Sequence, residues 1–171
     1  LASVHSMAVS DPSGDKPIGT DLPGLTSAIL EPFGDKEWTR IELPDLPVCS
    51  SAMTPLSLVL FELATNAVKY GGLGEGGQGV VVSGRVLGDR LVMRWEEHQA
   101  SVPASHEGDG TGFGTRMIQS TVGSSLGGSF SRDFGREGMT ATLDLDLETV
   151  TGGASTTAST ETIAAPGVSA E

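Results

Sequence analysis

Residues 54–73 read TPLSLVLFELATNAVKYGGL, and this stretch decides the fold. Thr54 is a capping residue and Pro55 suits the first helical position, where no N–H is needed; Gly71 ends the run. Leu56, Val59, Leu60, Leu63, Ala67 and Tyr70 recur at helical spacing and form a stripe that must be buried. Beside that stripe Glu62, Asn66 and Lys69 fall at i, i+4 and i+7, in one row. A carboxylate, an amide and an ammonium in line can polarise a nucleophile, offer an oxygen to Mg²⁺ and meet a phosphate. A solvated, charged helix face is the plainer explanation of the same pattern. Asparagine in mid-helix costs helix propensity, which counts against that plainer explanation.

Downstream of the helix, glycine is concentrated. The chain has 24 glycines in 171 residues, clustered at 71–79, 108–114 and 123–138. One residue in three would be needed for a collagen-like chain, so that class is excluded. The first cluster is nearly bare backbone. The second runs into a helix expected to begin near Thr115 and to carry Met117, Ile118 and Val122 as far as Leu126. Free amides at such a helix start, with the positive end of its dipole, suit an anion; ordinary turn chemistry accounts for glycine clusters equally well. Between the first two clusters, Val80–Leu87 and Arg90–Glu97 flank Gly88-Asp89 and read as a hairpin. Leu91, Met93, Trp95 and Glu97 share one face of its second strand. Glu97 at the strand end either frays into solvent or accepts a hydrogen bond from a ligand amine.

Ser129–Phe134 and Met139–Leu147 form a second hairpin, whose alternation predicts one buried and one wet face. Upstream, Asp21 caps a short helix with Pro23 in its first turn, carrying Leu25, Ala28 and Ile29 as far as Pro32, and Glu37–Leu43 reads as a strand. The expected architecture is α+β: a two-layer α/β sandwich with a mixed, mostly antiparallel sheet and helices on one face. Residues 1–20 and 149–171 are Ser/Thr/Gly-rich and read as a flexible N-terminal remnant and a disordered tail around a domain at 21–148.

Charge and cysteine usage narrow the function. A net charge of -12 with ten basic residues forming no patch argues against nucleic acid as a partner. A single cysteine, Cys49, has no disulfide partner, no 18-residue apolar run is evident and the first residues lack the pattern of a signal peptide. A cytoplasmic location without membrane contact from this segment is expected. Three familiar motifs fail on context. Gly123-Ser-Ser-Leu-Gly127 imitates a nucleophile elbow, but His5, His98 and His106 all precede it; Asp133-Phe-Gly135 lacks the rest of a protein-kinase lobe; Gly108–Gly114 never satisfies G-x-G-x-x-G. The histidines also lack metal-ligand spacing.

Taken in order, four motifs resemble the ATP-binding catalytic domain of bacterial sensor histidine kinases, in the GHKL (Bergerat fold) group, and most nearly its HWE branch. These are Phe61–Leu73 (FELATNAVKYGGL), Trp95-Glu96-Glu97, Thr111–Ile118 (TGFGTRMI), and Leu126-Gly-Gly128 with Gly138–Leu143 (GMTATL). The resemblance covers about Asp21 to Leu147. It implies that Asn66 ligates Mg²⁺ on the ATP phosphates, Lys69 contacts phosphate and Glu62 polarises the attacking nucleophile. It further implies that Glu97 receives the adenine amino group. Gly112, Phe113 and Gly114 would end the flexible ATP lid, with Thr115 opening the phosphate-facing helix.

The sequence departs from the branch at Phe61, where a histidine is usual, and at His98-Gln99, where two glycines are usual. A histidine-bearing dimerisation domain is missing; LASVHSMAV resembles only the end of its second helix, so His5 is not expected to be the phosphoacceptor. The resemblance thus implies a kinase fragment whose partners are ATP, the parent protein's own dimerisation domain and a response regulator. A degenerate domain that docks a response regulator, and a stand-alone serine kinase of the same fold, are the alternatives.

Overall fold

The computed structural model describes residues 21–33, 38–99, 112–136 and 138–153. Its elements are α1 (Leu22–Leu30), a 3-10 turn (Glu31–Phe33), β1 (Thr39–Glu42), α2 (Ser50–Tyr70), β2 (Gly77–Leu87), β3 (Arg90–Gln99), α3 (Phe113–Ser125), β4 (Ser129–Gly135), β5 (Gly138–Asp146) and α4 (Leu147–Thr151). The strands form one sheet in the order β1-β2-β3-β5-β4. β1 runs parallel to β2 and every other pair is antiparallel, because β2–β3 and β4–β5 are hairpins. The expected two-layer sandwich is therefore the observed one.

Alternation decides which sheet face is covered. Val80, Val82, Leu91, Met93, Trp95, Ala141, Leu143 and Leu145 are all buried and meet Leu56, Val59, Leu60 and Leu63 of α2. Each fully buried Leu or Val contributes about 2 kcal/mol, so this helix-to-sheet contact carries much of the fold. Ile118 and Val122 of α3, and Leu25 and Ile29 of α1, extend the same core. α2 is long and apolar enough to cross a membrane by length and composition alone, but here it is the central core helix.

Several boundaries move. α2 begins at Ser50 rather than Thr54, with Pro55 inside it. The extra turn is held from outside: Cys49 N–H donates to the Val150 carbonyl at 2.9 Å and Ala52 is buried. Tertiary anchoring thus overrides a proline start signal. Tyr70, expected in the buried stripe, is 63% exposed in the last helical turn. The expected start of the tail also shifts, since Thr149, Val150 and Thr151 belong to α4 and Val150 is fully buried. Asp146 caps that helix by accepting from Thr149 N–H (2.7 Å) and Thr149 Oγ1–H (2.6 Å). The nucleophile-elbow imitation falls at the end of α3 and Asp133-Phe-Gly135 on β4, so neither has the setting its chemistry needs.

Candidate functional site

α2 is the spine of the site. Glu62 and Asn66 sit one turn apart, and Asn66 Nδ2–H donates to Glu62 Oε1 at 3.3 Å. That bond turns Asn66 Oδ1 away from the carboxylate, leaving an amide oxygen of the kind a hard cation prefers. Lys69 follows in the last turn, exposed, and makes no ion pair among the described residues.

The start of α3 is brought against Glu62. A Cβ built on Gly114 would lie 2.0 Å from Glu62 Oε1, so only glycine admits this approach with the carboxylate where it stands. Gly112 caps α3 with extended backbone, without a side-chain hydrogen bond and without an acidic residue in the first turn. The first turn of α3 carries no acidic residue of its own, and the carboxylate standing against it is that of Glu62, so the amides and positive dipole end at this helix start could take an anion only beside Glu62. The helix opens at Phe113, which is 88% exposed, rather than at Thr115, which is buried two residues inside it. With Gly112 at the cap position in extended backbone, the helix starts two residues before the point that the sequence suggested. Gly108 to Thr111 and His106 lie outside the described residues.

Glu97 occupies the other end. It is 4% exposed, so the fraying alternative fails. Trp95 Nε1–H donates to its Oε1 at 3.0 Å, and Gly72 N–H donates to its Oε2 at 3.2 Å. Gly71 gives it room, since a Cβ there would lie 1.5 Å from Oε2. From Glu62 to Gly71 the helix rises about 13 Å at 1.5 Å per residue, comparable to an extended nucleoside triphosphate. A separate cleft of about 410 Å³ lies mostly on the uncovered face of the sheet, where alternation puts Glu96, His98, Asp133 and Thr140, and so behind the Glu97 carboxylate.

The first glycine cluster folds back on itself. Its amides are engaged internally: Gly74 N–H to Gly71 O, Gly77 N–H to Gly74 O and Gly79 N–H to Gly72 O, at 2.9–3.0 Å. It is a scaffold that receives Glu97 and not an anion cradle. At His98-Gln99, β3 continues through both residues and Gln99 Nε2–H donates to the Tyr70 carbonyl at 2.9 Å. Close backbone approach comes instead from the neighbouring strand, where a Cβ on Gly138 (φ 142°) would lie 1.7 Å from the Glu97 carbonyl oxygen. Phe61 packs edge-on to Phe33, ring centroids 5.3 Å apart. Sequence reasoning missed Gly72 and Gly138 as supports of Glu97. No local signal marked them: both are remote from Trp95-Glu96-Glu97 in the sequence and reach it through strand register and the folded-back loop.

The donor set fits a magnesium ion carried by phosphates. Among the described residues no three His, Cys, Asp or Glu side chains form a metal cage, while the Asn66 amide and Glu62 carboxylate supply hard oxygens beside the α3 start.

No protein-family model matches the chain. The blue-light-activated histidine kinase 1 of Erythrobacter litoralis (strain HTCC2594) is 32% identical over 151 residues, 86% of this chain and 41% of that protein. The histidine kinase domain of the Erythrobacter litoralis EL346 blue-light activated histidine kinase superposes with a TM-score of 0.64 at 20% identity, covering 85% of this chain and 69% of that one. Full-length ShkA, solved in complex with AMPPNP, gives 0.54 at 17% identity, covering 84% of this chain and 33% of that one. The fold is that of a histidine-kinase catalytic domain. The chain is homologous to the blue-light-activated histidine kinases and spans less than half the length of the curated relative it matches.

Proposed function

We propose that this chain is the ATP-binding catalytic domain of a cytoplasmic two-component sensor histidine kinase of the HWE branch. It would transfer the ATP γ-phosphate to a histidine on a dimerisation domain of the parent protein, for onward passage to a response regulator. The observation that carries this reading is the convergence of Glu62, Asn66 and the first turn of α3 at Gly114, with a buried carboxylate fixed at the far end of α2. The complex of a structural neighbour with AMPPNP supports nucleotide as the ligand.

Each part has a separate task. Glu97 accepts the exocyclic amine of adenine, and the triphosphate runs along α2 toward Glu62. Asn66 Oδ1 and the first-turn amides of α3 hold the phosphates with their Mg²⁺, which neutralises charge on the transferring group. Lys69, on its flexible stem, adds a point charge. Glu62 accepts a hydrogen bond from the incoming imidazole N–H, leaving its other nitrogen as the nucleophile. The 21–153 region would fold as this domain, with 1–20 carrying the end of a dimerisation helix; those first residues lie outside the described ones.

The test supplies the missing helical hairpin, fused or in trans, and follows radiolabel from γ-labelled ATP. Acid-labile, base-stable phosphate on the hairpin histidine, absent with Glu62→Gln, is the expected result. No label with a correctly folded chain and hairpin overturns the assignment.

A further inference from the structure

The buried core asks only for apolar volume at position 95, yet it holds an indole whose N–H is aimed at a carboxylate. Trp95 is fully buried, and its ring is clamped between strands by its pairing with Val82 and Ala141. A buried indole N–H needs a partner, and here the partner is Glu97 Oε1 at 3.0 Å. Gly72 N–H holds Oε2 at 3.2 Å, and Oε2 occupies the space that a side chain at position 71 would fill. Both carboxylate oxygens are therefore held, which fixes the plane of the group. A carboxylate offers about four lone-pair positions, enough to take a ligand amine beside these donors.

We propose that Trp95 is a positioning residue that sets the base preference of the site: by holding Glu97 in a fixed plane, it makes the pocket select a 6-amino purine over a 6-oxo purine. The inference rests on the reading of Glu97 as the adenine acceptor. A fixed acceptor rewards a ligand amine at one place and leaves a ligand carbonyl at that place facing another oxygen, so the penalty falls on the wrong base. A carboxylate released from the indole can turn away from a carbonyl or admit water between, and the penalty shrinks. The triphosphate end, held by α2 and α3, is untouched by this change.

The experiment compares binding of the β,γ-imido analogues of ATP and ITP, with Mg²⁺, to the chain and to Trp95→Phe by calorimetry. The wild-type chain should favour the adenine analogue by at least about tenfold, as loss of a hydrogen bond to a charged group implies. In Trp95→Phe that ratio should fall by about fivefold or more, with the inosine analogue gaining affinity as its penalty shrinks. A purely structural role would weaken both analogues together and leave the ratio intact, which overturns the proposal. If Trp95→Phe does not fold, site-specific incorporation of benzothienylalanine at position 95 keeps the bicyclic shape and removes only the N–H; a retained ratio there overturns the proposal too. A wild-type chain that binds both analogues equally would instead overturn the adenine reading of Glu97 and the inference with it.

Discussion

The two carboxylates of the site are built in opposite ways. Glu97 is buried, anchored on both oxygens, and enclosed by backbone from β5, the glycine loop and the end of α2. Glu62 is half-exposed on a helix face, and its neighbours are the side chain of Asn66 and the first turn of α3. Recognition of a base needs a fixed acceptor, because a displaced hydrogen bond discriminates nothing. Phosphoryl transfer to a histidine from another domain needs a carboxylate that can meet an incoming group. Substitutions that treat the two ends alike should therefore have unlike consequences.

The strongest way to break the comparison is Gly138→Ala. Its Cβ would collide with the Glu97 backbone at a φ that side chains rarely adopt, so there is no flexible atom to yield. Unfolding free energy should drop by about 3 kcal/mol in a denaturant titration. Second comes Glu62→Gln, which should lower phosphoryl transfer to a supplied hairpin by about 100-fold while nucleotide affinity stays within about twofold. Third is Gly114→Ala. Its Cβ would also overlap a carboxylate, but the atom it meets is the far end of the Glu62 side chain. Stability should change by less than about 1 kcal/mol, and transfer should fall as Glu62 moves off Asn66.

The smallest effect is a control remote from both ends. The Thr149 hydroxyl and N–H hold the Asp146 carboxyl below the ordinary value of 3.8. Its contribution to stability is therefore present above that value and lost as pH falls through the lower folded one. The melting-temperature gap between the protein and Asp146→Asn should be constant near neutrality and close in acid, with nucleotide affinity at neutral pH unchanged.

What was legible in the sequence follows the same division. Alternation in β3 and β5 and the helical stripe of α2 are local periodicities, and they led directly to the sheet, its buried face and the helix behind it. The row of Glu62 and Asn66 was legible for the same reason, being a property of one helix. The fate of Glu97 was not, because burial against Gly71 and Gly72 and support from Gly138 depend on strand register and on a loop folding back. The early start of α2 at Ser50 was hidden too, since Pro55 signalled a boundary locally while the Val150 carbonyl, a hundred residues away, held the extra turn. The glycine cluster at 71–79 read only as nearly bare backbone; its internal hydrogen bonds, which make it a scaffold, depend on how the loop folds back.

With a net charge of -12, the chain repels nucleotide at long range, so binding has to be local and assisted by cation. Calorimetric titration with a non-hydrolysable ATP analogue, with and without Mg²⁺, on the chain and on Asn66→Ala tests the nucleotide-site assignment most directly. The account predicts sub-millimolar binding that weakens by at least about tenfold on omission of Mg²⁺ and equally in Asn66→Ala, with an unchanged circular-dichroism spectrum and melting temperature. Absence of binding at millimolar nucleotide, or unchanged affinity in Asn66→Ala, would contradict it.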